Sequence, residues 1–377
     1  MGSAASYSVL QVLPALDAGG VERTVLEVAE ALVEAGHEAH VVSGGGRLVP
    51  ELLALGAKHY TMDVGSKRLL GFPWRVAALR RLIHHTGADI VHARSRAPAW
   101  AAWRAAIAER RPFVTTYHGI YNEGFPGKRR YNSVMARGDV VIANSRFTAE
   151  HIRDTHKTPE ARLRVIPRGV DMARFDPAVV SARAVRERRA AWGVPDGAAL
   201  VLLPGRLTAW KGGTVAVRAL SELPGDHHLV LLGDAQGRDD YVASLHALAE
   251  DLDVTDRFHI PGHDADMPTA YACADVVICP STDPEAFGRT AAEAQAMGKP
   301  VVAAAHGGAL DVVDDGRTGL IVPPGNAAAL ARAVKRAPSL PDIGAVGRAR
   351  IDELFSKRAL QRSVLAVYDE LIAVERP

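Results

Sequence analysis

Short apolar runs alternate with amphipathic stretches along almost the whole chain. Tyr7–Leu16 is a short, nearly continuous apolar run that ends in Asp17-Ala18-Gly19-Gly20. The spacing then changes. Val21, Val25, Leu26, Val28, Ala29, Leu32 and Val33 fall on one helical face, Glu22, Glu27, Glu30 and Glu34 on the other, and Gly36 stops the pattern before the apolar run at residues 37–43. This strand, glycine turn, helix, strand order predicts a parallel sheet with right-handed crossovers. Further strands are expected at residues 59–64, 88–95, 112–120 and 139–145 and from 162, with helices at 50–55, 73–85, 98–109 and 146–154. An Arg-rich helical linker at 178–196 ends in Trp-Gly-Val-Pro-Asp, and the alternation then restarts. Strands are expected at 199–207, 227–235, 257–262 and 275–281, with helices at 214–220, 239–252 and 267–274 between them. Residues 303–326 read as a turn-rich connection, and helices fill the remainder.

The pattern within residues 280–303 is the most informative. An apolar run closes at Pro280, a loop with two prolines and two carboxylates follows, and good helix formers run from Gly288 to Met297. Gly298 supplies a left-handed stop before Pro300 opens the next strand. The amides around Ala286, Phe287 and Gly288 then stand at a helix N-terminus, which favours an anion or an oxygen-rich ligand. Glu285 and Glu293 flank that point, about 12 Å apart if the interval were wholly helical.

Composition narrows the class. A chain of 377 residues with 48% hydrophobic and 23% charged residues suits two ordinary globular domains and excludes long disorder. No apolar run is long enough for a spanning helix, and the start, Met-Gly-Ser-Ala-Ala-Ser, lacks a basic region and an apolar core, so a cytoplasmic protein is expected. Cys273 and Cys279 are too few for a disulfide framework or a metal site and read as free thiols. The net charge of +2 hides an asymmetry: residues 1–178 carry 24 Lys and Arg against 17 Asp and Glu, the remainder 21 against 26. Different partners for the two halves follow. The helix at 73–85 sets Arg75, Arg80, Arg81, His84 and His85 against an apolar face, a pattern that fits either an anionic membrane surface or a solvated sheet-covering helix.

Candidate chemistry clusters at strand ends. Arg206 and Lys211 lie five residues apart across a glycine-containing turn after the first strand of the second half, and can converge on a diphosphate. His118 ends the strand at 112–120, at the edge where open α/β sheets bind ligands. Gly19 and Gly20 allow close backbone approach but lack the GxGxxG fingerprint of dinucleotide-binding enzymes. The basic stretch 121–131 reads as a loop able to receive a phosphate-bearing acceptor, or as a solvated segment. Asp239-Asp240 and Asp314-Asp315 sit at turns or helix starts, so no metal site is expected there.

The wording around these residues carries a resemblance. Glu285-Ala286-Phe287-Gly288 with Glu293 and the following Ala-Met-Gly-Lys-Pro-Val-Val-Ala closely resembles the signature of retaining GT-B glycosyltransferases of the family 4 type. Thr116-Tyr117-His118-Gly119 and Ile166-Pro167-Arg168-Gly169-Val170-Asp171, with Phe175 and Pro177, match the same family, although Arg168 stands where Asn is more familiar. The resemblance implies a GT-B fold: two α/β Rossmann-like domains with a cleft between them, 1–178 for the acceptor and 179–358 for the nucleotide sugar, with a C-terminal helix at 359–377 packing back on the first. It implies Arg206 and Lys211 as diphosphate ligands, Glu285 with the Ala286, Phe287 and Gly288 backbone at the sugar, and Glu293 at the ribose. Ile260, within 258–262, would stand by the base, Gly19 and Gly20 near the diphosphate, and His118 at the donor sugar.

The implied activity is metal-independent, retaining transfer from a UDP- or GDP-sugar to a cell-envelope glycan or lipid-linked acceptor, such as a lipopolysaccharide or exopolysaccharide precursor. No nucleic-acid partner and no cofactor are implied, and the charge asymmetry with the basic helix at 73–85 leaves peripheral contact with an anionic cytoplasmic membrane face open. Cationic side chains can stabilise the leaving nucleoside diphosphate without a metal, and retention by same-face attack needs no protein nucleophile. Two other readings stay open: a non-catalytic nucleotide-sugar-binding subunit, and a phosphorylase or epimerase on the same fold.

Overall fold

The computed structural model describes residues 6–17, 19–66 and 68–375; the N-terminal tail of residues 1–5 and Ala18 in the first glycine turn lie outside them. The chain divides into two compact units. One comprises the described residues up to Gly169 together with those from Lys357 on, the other Val170–Ser356. The segment Val170–Ala178, expected in the first domain, is part of the second unit. Val170 donates its amide to Phe355 O at 2.7 Å and bridges to Ser356, while Val170 and Phe175 are buried in that unit's core.

In the first unit β1 (Ser8–Val12), β2 (Glu38–Ser43), β3 (Lys58–Thr61), β4 (Ile90–Ala93), β5 (Phe113–Tyr117), β6 (Val140–Ala143) and β7 (Leu163–Val165) form one parallel sheet in the order β3-β2-β1-β4-β5-β6-β7. Because side chains alternate across a strand, Leu10 and Val12 enter one apolar cluster and Val9 the other. Burial on both faces explains the near-continuous apolar runs. Helices cover both faces. Helix Lys357–Glu375 packs on helix Gly20–Glu34: Lys357 Nζ lies 3.0 Å from Glu30 Oε2, and Gln361 donates to Glu27 O and Glu30 Oε2, each at 2.9 Å. The stretch 121–131, read as a loop, runs into a short helix, Lys128–Asn132.

The second unit repeats the plan with β8 (Ala199–Pro204), β9 (His227–Leu232), β10 (Phe258–Gly262), β11 (Val276–Cys279), β12 (Val301–Ala304) and β13 (Leu320–Val322), all parallel, in the order β10-β9-β8-β11-β12-β13. Leu200 and Leu202 face one cluster, Val201 and Leu203 the other. β13 corrects the sequence reading, which took residues 303–326 as a connection. It is three residues long and hidden among turn formers, and it pairs with β12 at the sheet edge. The Arg-rich linker forms helix Ala182–Ala191 and leads into the buried Trp192 and Val194.

Candidate active site

In each sheet the chain proceeds one way from the first strand and then returns to the other side of it. The two switch points lie between β1 and β4 and between β8 and β11, and ligands of open α/β sheets bind beyond the strand ends at such points.

Beyond β8 and β11, two loops are stitched together. Thr282 N donates to Trp210 O at 2.7 Å. Gly212, at φ +81°, passes so close that a Cβ there would stand 2.0 Å from Pro280 O. This close approach sets Lys211 Nζ 2.8 Å from Glu285 Oε1, and the same oxygen accepts from Ser281 Oγ at 2.6 Å. The Lys211 and Glu285 side chains are only 14% and 15% exposed. The ammonium also stands 4.7 Å from the centroid of Trp210. Arg206 is exposed, and its guanidinium has no partner among the described residues.

The Glu285 loop is braced from behind. Gly308 N donates to Glu285 O at 2.7 Å, a Cβ at Gly308 would stand 2.5 Å from Phe287 Cα, and His306 Nε2 lies 2.7 Å from Ser281 O. Helix Arg289–Ala296 begins after Gly288, whose φ is +89°. Its unsatisfied first-turn amides are therefore those of Arg289, Thr290 and Ala291, just beyond the expected Ala286–Gly288. The Phe287 ring is 4% exposed and packs against Phe355, so its side chain serves the core. Glu293 is held from two sides: Tyr271 donates its hydroxyl to Oε2 at 2.9 Å, and Arg289 Nε donates to Oε1 at 2.7 Å.

Ile260 is half-buried on β10, two strands from β8. The nearby Phe258 ring is buried in the core against His246. Burial and the Glu285 charge push the Cys279 thiol up, and burial pushes Cys273 up to about 11. Both thiols stay protonated near neutral pH and neither is a nucleophile.

In the first unit Gly19, at φ +139°, and Gly20 follow β1 and open helix Gly20–Glu34. His118 follows β5, with both ring nitrogens buried and without partners. Its carbonyl accepts from Asn144 Nδ2 and Arg168 Nη2, each at 3.2 Å. Burial, reinforced by Arg168 and Arg94, holds the imidazole well below its ordinary range, so it is neutral. Arg94 is 1% exposed with Nε and Nη2 unpaired, and burial lowers it to about 10. His92 beside it is also kept neutral, with contacts of 2.6 Å to the Tyr368 hydroxyl and 2.7 Å to Thr116 Oγ1.

The fold thus joins Arg206, Lys211, Glu285 and the Glu293 helix in one unit, and places Gly19, Gly20 and His118 in the other. Sequence reasoning missed Ser281, Tyr271, Arg289 and Arg94; the adjacent Gly307 and Gly308 were the visible sign of a close backbone approach. Asp314 and Asp315 bind the Arg317 side chain and the Ile321 amide, and Asp239 and Asp240 occupy the first turn of a helix. Among the described residues no group of three or more His, Cys, Asp or Glu could hold a metal ion.

The signature described as Glycosyltransferase Family 4 matches residues 18–174, and that described as Glycosyl transferases group 1 matches residues 185–345. A D-inositol 3-phosphate glycosyltransferase of Xylanimonas cellulosilytica is 35% identical over 81% of this chain and 80% of its own length. This chain belongs to the family 4 glycosyltransferases. Its two-sheet architecture is that of the GT-B members: a Rickettsia africae glycosyltransferase superposes with a TM-score of 0.89 at 35% identity, covering 99% of this chain and 100% of that one. Anabaena HepE, solved in complex with UDP and glucose, superposes with a TM-score of 0.80 at 26% identity over 96% and 99% of the two chains. As a family 4 member the protein is a glycosyltransferase, and no described helix is long and apolar enough to cross a membrane.

Proposed function

We propose that this glycosyltransferase moves a sugar from a nucleoside-diphosphate sugar to a phosphate-bearing acceptor, with retention and without a metal. The observation that carries the reading is the pairing, beyond the β8/β11 switch point, of Lys211 with Glu285 on the loop that leads into helix Arg289–Ala296, with Arg206 exposed on the loop that leaves β8. Two cations and a helix N-terminus suit a diphosphate and the charge that grows on it as it leaves. Glu285, held by Lys211 and Ser281, positions the sugar, and Glu293, held by Tyr271 and Arg289, meets the ribose. The capture of UDP and glucose by HepE supports a UDP-sugar donor.

Transfer breaks the bond between the anomeric carbon and the leaving phosphate oxygen and forms one from the acceptor oxygen on the same face, while the acceptor proton passes to the departing phosphate. No protein nucleophile is then needed. His118 is neutral, so it brings no positive charge to the site. The names of the curated relatives favour a phosphorylated acceptor over a lipopolysaccharide precursor.

A thermal-shift screen of UDP, GDP and ADP, followed by nucleotide-release assays with and without chelator, tests the proposal. A shift with UDP or GDP that Lys211→Ala reduces, together with chelator-resistant turnover, supports it. The absence of any shift would refute the donor assignment, and chelator-sensitive turnover the metal-free mechanism.

A further inference from the structure

The first unit holds a pocket of about 690 Å³ whose walls are Phe72, Trp100 and Phe125 and whose polar lining includes Arg75, Lys128 and Arg130. Its size is that of a ligand site. Trp100 is fixed by donating Nε1 to Tyr131 O at 3.0 Å. Lys128 stands 4.5 Å over the Phe125 ring, and Arg75 Nη2 donates to Arg68 O at 2.8 Å. No carboxylate lines the pocket, and none of the three cations has a carboxylate partner among the described residues.

Further along the same helix, by contrast, Arg80 and His84 both pair with Glu109, at 2.6 and 2.5 Å. The pocket thus gathers three cations that no carboxylate among the described residues neutralises. Phe125 is 59% exposed, and Leu70 (95%) and Trp74 (76%), also exposed, lie close in sequence to Phe72.

We propose that this pocket holds the acceptor of the transfer reaction, and that this acceptor carries its phosphate on an apolar chain. The inference rests on the glycosyltransferase reading above and narrows it. The three cations meet the phosphate, and the aromatic walls take the chain. A bare polyol phosphate fits poorly. Its free hydroxyls need polar partners, and with the three cations on the phosphate the lining side chains leave only the hydroxyls of Ser66 and Tyr131.

The test uses the full-length protein and farnesyl phosphate kept below its aggregation concentration, with inorganic phosphate and D-inositol 3-phosphate as comparators. Titration calorimetry should give saturable binding of farnesyl phosphate at least tenfold tighter than of either comparator. Arg130→Gln should weaken it about three- to tenfold, and Trp100→Ala should erase the advantage of the chain. Phe125→Ser, on an exposed side chain, replaces Trp100→Ala if that variant does not fold. UDP binding is measured on the same samples. If UDP binds and farnesyl phosphate does not, the pocket assignment falls while the donor reading stands; if farnesyl phosphate binds and UDP does not, the reverse holds. Inositol 3-phosphate binding as tightly as farnesyl phosphate overturns the apolar chain. Binding only to anionic phospholipid vesicles, unaffected by Trp100→Ala, would make the surface a membrane contact and overturn the pocket.

Discussion

Lys211 is committed to Glu285 at 2.8 Å, with both side chains about one-seventh exposed. A charge-assisted contact of this kind is worth about 1.5–3 kcal/mol. An incoming diphosphate must share or break it, so part of the gross attraction between Lys211 and the nucleotide is lost. Glu285→Gln keeps the shape and the Ser281 contact but removes the competing charge. If about 1 kcal/mol of the competition is released, UDP should bind roughly fivefold tighter. Turnover should fall about a hundredfold, close to 2.7 kcal/mol of transition-state stabilisation, because the sugar loses its positioning carboxylate. Calorimetric titration of UDP and steady-state kinetics at one fixed ionic strength measure the two effects separately. Weaker UDP binding by a fully folded Glu285→Gln protein would refute the competition argument, and kcat within threefold of the parent would remove Glu285 from the sugar site.

Other outcomes follow from the same geometry. His92 and His118 are held neutral by burial and by Arg94, and in the case of His118 also by Arg168. Below the ordinary histidine value of about 6.5 the unfolded chain binds protons that the folded one refuses, so stability should fall as pH drops from 7 to 5, by up to about 1.4 kcal/mol per pH unit for each histidine. Denaturant titrations across that range check this, and a His118→Gln variant with an unchanged slope would contradict it. Tyr271→Phe removes one of the two donors to Glu293 and should cost about 1–2 kcal/mol of stability while weakening UDP binding a few-fold; unchanged UDP affinity would separate Glu293 from the ribose. Gly212→Ala sets a Cβ against Pro280 O at a positive φ, so it should lower the melting temperature and abolish turnover together. A variant with full activity would show that the two loops need no such close approach.

The fold was largely legible because buried parallel strands leave continuous apolar runs and the glycines between strand and helix leave visible stops. β13 was not, since three residues among prolines and glycines carry no period. In the site, Arg206, Lys211 and Glu285 could be named individually, but their pairing could not. The contact between Lys211 and Glu285 depends on β8 and β11 being sheet neighbours, although more than 70 residues separate them in sequence, and on Gly212 passing against Pro280. Arg94 was invisible for another reason: a fully buried arginine at a strand end looks in sequence like any charge that bounds an apolar run.

Charge is used in opposite ways beyond the β8/β11 switch point and beyond the strand ends of the first unit. At β8/β11 the protein leaves Arg206 exposed and Lys211 within reach of a ligand. Beyond the ends of β4, β5, β6 and β7, Arg94, His118, Asn144 and Arg168 instead line a cavity of about 10 Å³, closed by Leu360 and Val364 of helix Lys357–Glu375. That volume admits one water at most, so a phosphate cannot reach the buried guanidinium of Arg94. An anionic acceptor must therefore find its positive charge elsewhere in this unit. Arg75, Lys128 and Arg130 are accessible cations of this unit that no carboxylate among the described residues neutralises, and they stand in the aromatic pocket, where apolar walls select for what the phosphate is attached to.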